Sequence, residues 1–393
     1  MAMEVEARAP GKLILAGEHA VVHGYAAVAA ALGLFTRCHI RRSLSPVHGV
    51  CLQLLDLKLT LQWSLQEMDS LVKLVHSDVA MANPNSLDVI ARLKNLLDNK
   101  SLPEAKIGIA SGVMAFLFLY SAILGVIPST VTVSADLPMG AGLGSSASFC
   151  VSLVAALLAM AKMLASDAHE SHAYASNNGV DPLKIDEMGL DLVNKWAFKG
   201  ETIIHGRPSG IDNTVSTFGY VVKVKDGHLV RLQDSIPLKI LLTNTKVGRN
   251  TKALVAGVGE RAQRHLKAMT AIFEATEALV EEFVATLQSV SQWEDSKSDQ
   301  EAKVEELVGI NQGLLQSMGV SHPTIDLICR TTAKYQLQSK LTGAGGGGCV
   351  LTIIPDQLTK KTLDKVKADL QEQGFECFEA AIGVPGVHLT SSL

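Results

Sequence analysis

A run of small residues directly before a long apolar segment constrains the fold of this chain more than any other feature. The run is PMGAGLGSSAS at 138–148, and the segment from Ser148 onward, SFCVSLVAALLAMAKMLA, predicts a helix because it lacks internal proline and glycine. Thr130–Ala135 predicts a strand before the run. Glycine tolerates positive φ and lets the backbone approach a ligand closely. The unpaired N–H groups and the dipole of the following helix would then favour an anion such as a phosphate.

Two better known nucleotide loops do not account for this run. The pattern GxxxxGK[ST] is absent from the sequence, which excludes a Walker A loop. Gly142-x-Gly144-x-x-Ala147 fits a relaxed dinucleotide fingerprint, but a polar loop follows the predicted helix where that fingerprint needs a strand with an acidic end. A tight strand-to-helix turn packed with small residues is the alternative without a ligand. Ser145 and Ser146 lie where a magnesium ion that bridges phosphates could be held.

Two further stretches could line the same ligand. KLTGAGGGGCV at 340–350 places its glycines before a strand, which favours a wall of backbone against a ligand over a dinucleotide site. A flexible linker is the alternative. The opening stretch, APGKLILAGEHAVVHG at 9–24, predicts two strands joined by a turn at Pro10-Gly11. It carries Lys12, Glu18, His19 and His23, which could also lie on a solvated face of the strand pair.

Composition and charge exclude several classes of protein. The chain has 393 residues, which suggests two domains, and its 47% hydrophobic and 19% charged residues are typical of a globular protein. A formal net charge of −4 argues against a nucleic-acid partner, which would require a basic face. The six cysteines are scattered without a CxxC pair, which favours buried thiols in a reducing compartment. The opening MAMEVEARAPGK has no apolar signal region, which argues against a secretory signal peptide.

One uncharged segment needs a separate explanation. Residues 107–127 are apolar enough to pass as a membrane span, but Ser111, Gly112, Ser121 and Gly125 interrupt them and Pro128 ends them. This pattern favours a core helix and no membrane. Residues 52–106 mix Trp63 with leucines and polar residues, and they predict a helical excursion or lid. A second helix is predicted over 185–205, ended by Gly206 and Pro208.

Together, the three stretches carry a resemblance to a known family. PGKLILAGEHAVVHG, PMGAGLGSSAS and KLTGAGGGGC occur in the order seen in the GHMP kinases, named for galacto-, homoserine, mevalonate and phosphomevalonate kinases. GEHAVVHG resembles the mevalonate branch, whereas galactokinases have a GEHTDY-type form. NKWAFKGETIIHGRPSGIDNTVS at 194–216 and LLTNTKVGRNTKALVAGV at 241–258 resemble that branch almost residue for residue. Residues 52–106 resemble the family only loosely, in detail closer to its plant-type members.

The resemblance implies both a fold and an activity. The implied fold is α+β with two domains, 1–234 and 235–393, and an active site in the cleft between them. The implied reaction transfers a phosphoryl group from ATP, with Mg²⁺, to the primary hydroxyl of (R)-mevalonate. The products would be 5-phosphomevalonate and ADP, in an early step of isoprenoid synthesis. A cytoplasmic homodimer and feedback inhibition by prenyl diphosphates are implied in the same way.

The resemblance also assigns roles to individual residues. Asp212 would act as general base or orienting group, and Lys12 would stabilise charge on the hydroxyl and the phosphoryl group. Glu201 and Ser146 would hold magnesium. The ATP phosphates would lie against Pro138, Gly140, Ala141, Gly142, Leu143, Gly144, Ser145, Ser146 and Ala147. The acceptor would contact Lys12, Glu18, His19, Asp212, Arg249, Thr251, Gly343 and Ala344, with His19, Arg249 and Thr251 near its carboxylate.

Two other functions stay open at this point. A phosphomevalonate kinase would need an extra cluster of cations for the phosphate of its acceptor, and the acceptor-side stretches offer mainly Arg249 with Lys246 and Lys252. A non-catalytic ligand sensor on the same scaffold would be expected to have lost part of the chemical machinery. The sequence retains its four members, Lys12, Ser146, Glu201 and Asp212.

Overall fold

The computed structural model of the chain describes residues 3–44, 49–77, 83–98, 100, 107–138, 140–170, 185–232, 238–288 and 297–390. Its strands are β1 (Glu4–Ala16), β2 (Ala27–Arg42), β3 (Val50–Leu54), β4 (Leu59–Trp63), β5 (Ser129–Ala135), β6 (Val221–Lys225), β7 (His228–Leu232), β8 (Leu238–Asn244), β9 (Ser339–Leu341), β10 (Cys349–Ile353), β11 (Glu376–Ile382) and β12 (His388–Thr390). Its helices are α1 (Leu65–Ser77), α2 (Leu87–Asp98), α3 (Ile107–Ile123), α4 (Ser145–Glu170), α5 (Glu187–His205), α6 (Ile211–Phe218), α7 (Thr251–Arg264), α8 (Leu266–Gln288), α9 (Lys297–Ser317), α10 (Pro323–Ala333) and α11 (Lys360–Glu372).

The strands form one twisted sheet that runs through both halves of the chain. Its main path is β4-β3-β5-β2-β11-β8-β10-β9, in which β3 and β5 are parallel and the other neighbours are antiparallel. β2 is the central strand, because it also pairs with β1 and β6. Along the main path the two halves meet where Ile382 lies opposite Leu32. This arrangement confirms the predicted α+β fold.

The predicted domain boundary between residues 234 and 235 lies within 233–237, outside the described residues. It stays a prediction.

The two largest apolar cores lie between the sheet and the helices. The first lies under α3, α4 and α5 and includes Trp63, Phe116, Tyr120 and Cys150. The second lies between the sheet and helices α8 and α9 and includes Phe283. Both cores exclude water from the strands and helices that carry the polar residues described below.

Helix α3 explains the uncharged segment of the sequence. Its residues from Ala115 through Ser121 are all fully buried, so this part of the helix is surrounded by protein on every side. The stretch 145–166 of α4 is long and apolar enough to cross a membrane by length and composition, but most of it is buried in the first core. The expectation of a core helix is therefore confirmed for α3.

Two sequence predictions about local structure are wrong. Pro10-Gly11 does not form a turn, because β1 continues through both residues and its register with β2 shifts there, as in a β-bulge. Gly11 lets the backbone of Leu143 lie close to β1, since a Cβ at position 11 would lie 2.8 Å from the carbonyl oxygen of Leu143.

Residues 52–106 are not wholly helical, because they begin with the hairpin of β3 and β4. The alternation of apolar and polar residues over Leu59–Trp63 is the strand period that this prediction overlooked.

Candidate active site

An ion pair between Lys12 and Asp212 lies at the centre of the site. Lys12 follows the bulge in β1, and its Nζ lies 2.8 Å from Oδ1 of Asp212. Asp212 is in the first turn of α6, where the helix dipole favours a negative charge. The side chain of Lys12 is 9% exposed and that of Asp212 is 35% exposed. The carboxylate is therefore the member of the pair that a ligand from solvent would meet, with the ammonium behind it.

The glycine loop lies directly beside this pair. Gly140, Gly142 and Gly144 have φ of 73°, 75° and 73°, which glycine adopts without strain, and α4 begins at Ser145. The backbone N–H of Lys12 donates a hydrogen bond to the carbonyl of Leu143, with an N···O distance of 2.8 Å. This bond holds the loop against β1. The start of α4, which the sequence analysis predicts to bind phosphate, is thereby placed next to Lys12.

Ser146, Glu201 and His205 form a second polar group at the start of α4. Nε2 of His205 lies 3.0 Å from Oγ of Ser146 and 3.9 Å from Oε2 of Glu201. Glu201 comes from α5 and is 3% exposed. Its Oε1 is buried and has no hydrogen-bond partner within the part of the chain that the structure describes.

The ionisation of Glu201 is opposed by its surroundings. Burial, the largest cause, and the negative charge of Asp212 raise the pKa of Glu201, while Ser146 and Lys12 lower it, and the net result is a pKa of about 7. A buried, partly unpartnered carboxylate beside a serine hydroxyl is a donor set that suits a hard divalent cation such as Mg²⁺. The described residues contain no group of three or more His, Cys, Asp or Glu that could hold a metal. Further oxygen ligands would have to come from phosphates and water.

Arg249 joins the glycine loop to the third motif. Its Nη2 donates to the carbonyl of Ala141 at 3.0 Å, and its Nη1 donates to the carbonyl of Thr342 at 3.3 Å. The guanidinium covers Gly142, where a Cβ would lie 1.3 Å from Nη2. Burial lowers the pKa of Arg249. The structure thus brings Arg249 into the site, and its contact with an acceptor carboxylate stays a prediction.

His19 contacts the third motif through one ring nitrogen. Nε2 lies 2.9 Å from the carbonyl oxygen of Ala344, and since a carbonyl only accepts, Nε2 carries the proton. Burial lowers the pKa of His19, which favours the neutral ring with Nδ1 as an acceptor, and Nδ1 has no partner among the described residues. In this arrangement His19 has no free donor for a carboxylate. The predicted contact would require a protonated ring or release of Ala344.

The other predicted acceptor residues differ in how close they come to the open surface. Glu18 is 1% exposed and faces the interior, where its Oε1 lies 2.5 Å from Nζ of Lys340. Thr251 is exposed and is the first residue of α7, directly after the capping residue Asn250. Gly343 lies next to Arg249, with 3.3 Å between its ideal Cβ position and Nη1. The structure therefore gathers Lys12, His19, Arg249, Gly343, Ala344 and Asp212, while Glu18 reaches this group through buried contacts.

Two polar residues of this region were missed by the sequence analysis. His205 lies four residues after Glu201 on one face of α5, and the sequence shows this spacing, but the sequence analysis assigns His205 no role. Lys340 opens the third motif as the only charged residue of its three-residue strand, β9. No local signal in the sequence pairs this lysine with Glu18, which lies 322 positions away.

Comparisons with known proteins identify the family of this chain. The family model for the GHMP kinases N terminal domain matches residues 109–220, and that for the GHMP kinases C terminal matches residues 297–375. A mevalonate kinase of Arabidopsis thaliana is 46% identical over 392 residues, which cover 98% of this chain and 100% of that protein. A mevalonate kinase of Mus musculus is 40% identical over 399 residues, which cover 98% of this chain and 94% of that protein.

Solved structures show the same fold. The crystal structure of L. major mevalonate kinase in complex with R-mevalonate matches with a TM-score of 0.66 at 20% identity, over 96% of both chains. The Streptococcus pneumoniae phosphomevalonate kinase matches with a TM-score of 0.57 at 16% identity, over 97% of this chain and 99% of that one. At these identities the likeness concerns the fold alone. The assignment rests on the sequence identities to the Arabidopsis and mouse enzymes, which extend over 98% of this chain. This chain therefore belongs to the mevalonate kinase family of GHMP kinases and is a kinase.

Proposed function

We propose that the chain transfers the γ-phosphoryl group of ATP, with Mg²⁺, to the primary hydroxyl of (R)-mevalonate and releases 5-phosphomevalonate and ADP. The observation that carries this proposal is the Lys12–Asp212 pair, 2.8 Å apart and held beside the glycine loop. The names of the Arabidopsis and mouse relatives, and the R-mevalonate bound by the L. major enzyme, support mevalonate as the acceptor. An early place in isoprenoid synthesis, a cytoplasmic homodimer and feedback by prenyl diphosphates follow from the family resemblance alone.

The pair can manage the proton and the charge of the acceptor hydroxyl. The exposed carboxylate of Asp212 would accept or orient the hydroxyl proton, while Nζ of Lys12 would stabilise negative charge on the attacking oxygen. Phosphoryl transfer demands little covalent chemistry from the protein, so positioning and electrostatics supply most of the rate. Two groups held 2.8 Å apart before the substrate arrives meet that demand without further reorganisation.

The phosphates would bind where the glycine loop meets α4. The backbone N–H groups at the start of this helix have no partner within it, and its dipole favours an anion. Ser146 and Glu201 would hold magnesium, which neutralises charge on the phosphates when bound. The unpartnered Oε1 of Glu201 and the unfavourable ionisation of this carboxylate support that role.

The acceptor would lie between the first and third motifs. Arg249 supplies a cation there, close to Gly343, and His19 and Ala344 form the adjoining wall. A phosphomevalonate kinase would need further cations for the phosphate of its acceptor. Arg249 already donates two hydrogen bonds, to the carbonyls of Ala141 and Thr342. This arrangement favours a carboxylate-bearing alcohol over a phosphorylated one.

ADP release by the purified protein tests the proposal. The assay compares mevalonate, phosphomevalonate, galactose and homoserine, each with Mg-ATP and with excess chelator. We expect turnover with mevalonate that disappears without magnesium. Turnover with another acceptor would retain the kinase chemistry and overturn the proposed acceptor. Nucleotide binding without turnover on any of the four would favour a ligand sensor.

A further inference from the structure

Lys340 is a fully buried lysine in the middle of β9. Its Nζ lies 2.5 Å from Oε1 of Glu18, and the two side chains are 0% and 1% exposed. The same Nζ lies 3.4 Å from the carbonyl oxygen of Ile14 in β1. A buried ion pair gains little net stability, because removing both charges from water costs about as much as their attraction returns. Stability alone therefore does not account for this pair.

The pair joins two motifs that the sheet does not join. In the described structure β9 pairs with β10, whereas β1 pairs with β2 and β12. Side chains of the third motif make the connection instead. Oγ1 of Thr342 donates to the carbonyl of Ile14 at 3.0 Å and accepts from its N–H at 3.1 Å, next to the contact from Lys340. Lys340 and Thr342 thus place the third motif against the end of β1.

The segment that Glu18 belongs to has a conformation that its neighbours must hold. Gly17 has φ of 95°, and His19 has φ of 62°. Residues other than glycine seldom adopt a positive φ. The ring of His19 then reaches the carbonyl of Ala344 at 2.9 Å. Glu18 stands between these two residues and is tied to Lys340. The buried pair therefore sets where His19 and Ala344 meet.

We propose that Lys340, through Glu18, is the positioning residue for the acceptor half of the active site. Lys340 itself touches no reacting atom. It holds the segment 17–19 against the third motif so that His19 and Ala344 form the wall of the acceptor site. The inference rests on the proposed function, which places the acceptor between these motifs. The ATP half is held by other contacts, among them the bond from the N–H of Lys12 to Leu143.

The proposal predicts a selective loss of acceptor binding. Lys340→Met should raise the acceptor KM about tenfold or more, because small displacements of positioning groups have large effects. The KM for ATP should change by less than about twofold, since the glycine loop keeps its own contacts. A purely structural role would alter both KM values together, or neither.

A double variant separates positioning from stability. Lys340→Met alone leaves the Glu18 carboxylate buried and unpaired, so it should unfold at a lower temperature than the wild type. Glu18→Leu with Lys340→Met removes both charges and should regain most of that loss. The acceptor KM of the double variant should nevertheless stay raised, about as far as in the single variant, because the two residues act as one unit.

Asn311→Ala is the matched control. Asn311 is fully buried and its Nδ2 donates to the carbonyl of Leu15 in β1 at 3.1 Å, while its Oδ1 has no hydrogen-bond partner among the described residues. We expect it to lower the unfolding temperature and leave the acceptor KM unchanged.

The proposal is overturned if the double variant regains the wild-type acceptor KM along with its stability. It is also overturned if Asn311→Ala raises that KM equally. If the wild type prefers an acceptor other than mevalonate, the proposed function fails while the same comparison, made with that acceptor, still decides the role of Lys340.

Discussion

Asp212, the more exposed member of the Lys12–Asp212 pair, is the residue whose substitution we expect to lower turnover most. Asp212→Asn keeps the size of the side chain but removes its ability to take a proton, so kcat should fall by about 10²–10⁴-fold. Binding of Mg-ATP should persist, because the glycine loop does not depend on this carboxylate. Turnover measured beside equilibrium nucleotide binding checks both statements.

Asp356→Asn provides a close control for that substitution. Asp356 lies 2.9 Å from Lys239, and its side chain is 36% exposed, nearly the same as that of Asp212. Its loss should leave turnover within about twofold, since an exposed ion pair contributes little. A comparable loss of turnover in both variants would remove Asp212 from the chemistry.

The raised pKa of Glu201 predicts how the free energy of unfolding depends on pH. Its pKa in the folded protein is raised to about 7 from an ordinary value of 4.5, so the folded state holds this proton more tightly than the unfolded state does. The associated stability is complete below the ordinary value and is lost as the pH rises through about 7. Glu201→Gln cannot ionise. With chelator present, its free energy of unfolding relative to the wild type should therefore rise by on the order of 3 kcal/mol between pH 4 and pH 8.

Chemical denaturation at a series of pH values measures this difference. Glu260→Gln serves as the control, because the Glu260 side chain is 68% exposed and its contact with Arg264 is a surface one. A difference for Glu201→Gln that does not change with pH would mean that burial does not oppose ionisation of this carboxylate. The buried Oε1 would then give no support to a magnesium site.

At the residue scale, the sequence predicts which side chains matter better than it predicts what they touch. Lys12 and Asp212 could be paired by resemblance, and the structure places them 2.8 Å apart. The partners of Arg249 are backbone carbonyls of two glycine-rich segments, and no pattern in the sequence encodes such contacts. Lys340 and Glu18 lie 322 positions apart, so their pairing depends on the complete sheet.

At the scale of elements, the glycine loop depends on Gly142 more than on its other glycines. A Cβ at Gly142 would lie 1.3 Å from Nη2 of Arg249, so Gly142→Ala must displace the guanidinium from Ala141 and Thr342. Positive φ adds roughly 1–2 kcal/mol for a residue with a side chain. We expect a lower unfolding temperature together with raised KM values for ATP and the acceptor, measured by thermal denaturation and initial rates.

Gly227→Ala separates the two causes. Gly227 has φ of 77°, close to the 75° of Gly142, but nothing lies within 4 Å of its ideal Cβ position, and it belongs to the turn between β6 and β7. The backbone cost should therefore be similar, while both KM values stay unchanged. Equal kinetic effects of the two substitutions would show that Arg249 does not bridge the motifs in the working enzyme.

Elements with a strong local signal were predicted well, and those defined by pairing were not. The helix predicted over 185–205 is α5, Glu187–His205, because Asp186 caps its start and Gly206 ends it. Pro10 and Gly11 are turn formers by composition, but pairing of β1 with β2 on both sides keeps them in one strand. The β3–β4 hairpin has short strands of five residues each, so the alternation in β4 is a weak signal by itself, and pairing of β3 with β5 completes the structure.

At the scale of the whole molecule, the sheet order could not be derived from sequence patterns. Strand β2 has neighbours as distant along the chain as β11, and such contacts leave no local signal. The consequence is functional, because Lys12, Ser146 and Asp212 come from the first part of the chain whereas Arg249 and Ala344 come from the second. Side-chain and backbone contacts then unite the three motifs into one site.

Because one site contains residues from both parts of the chain, ligands that bind there should stabilise the whole folded chain. A ligand that binds the folded state and not the unfolded state stabilises the protein by about 2.7 kcal/mol at a hundred times its dissociation constant. With Mg²⁺ and a non-hydrolysable ATP analogue present, mevalonate should raise the unfolding temperature by several degrees, while galactose should not. Phosphomevalonate should raise it less than mevalonate does, because two donors of Arg249 are already bound to carbonyls of the motifs. Thermal denaturation at equal ligand concentrations measures the order, and a larger shift with phosphomevalonate would mean that the acceptor site is built for a second phosphate.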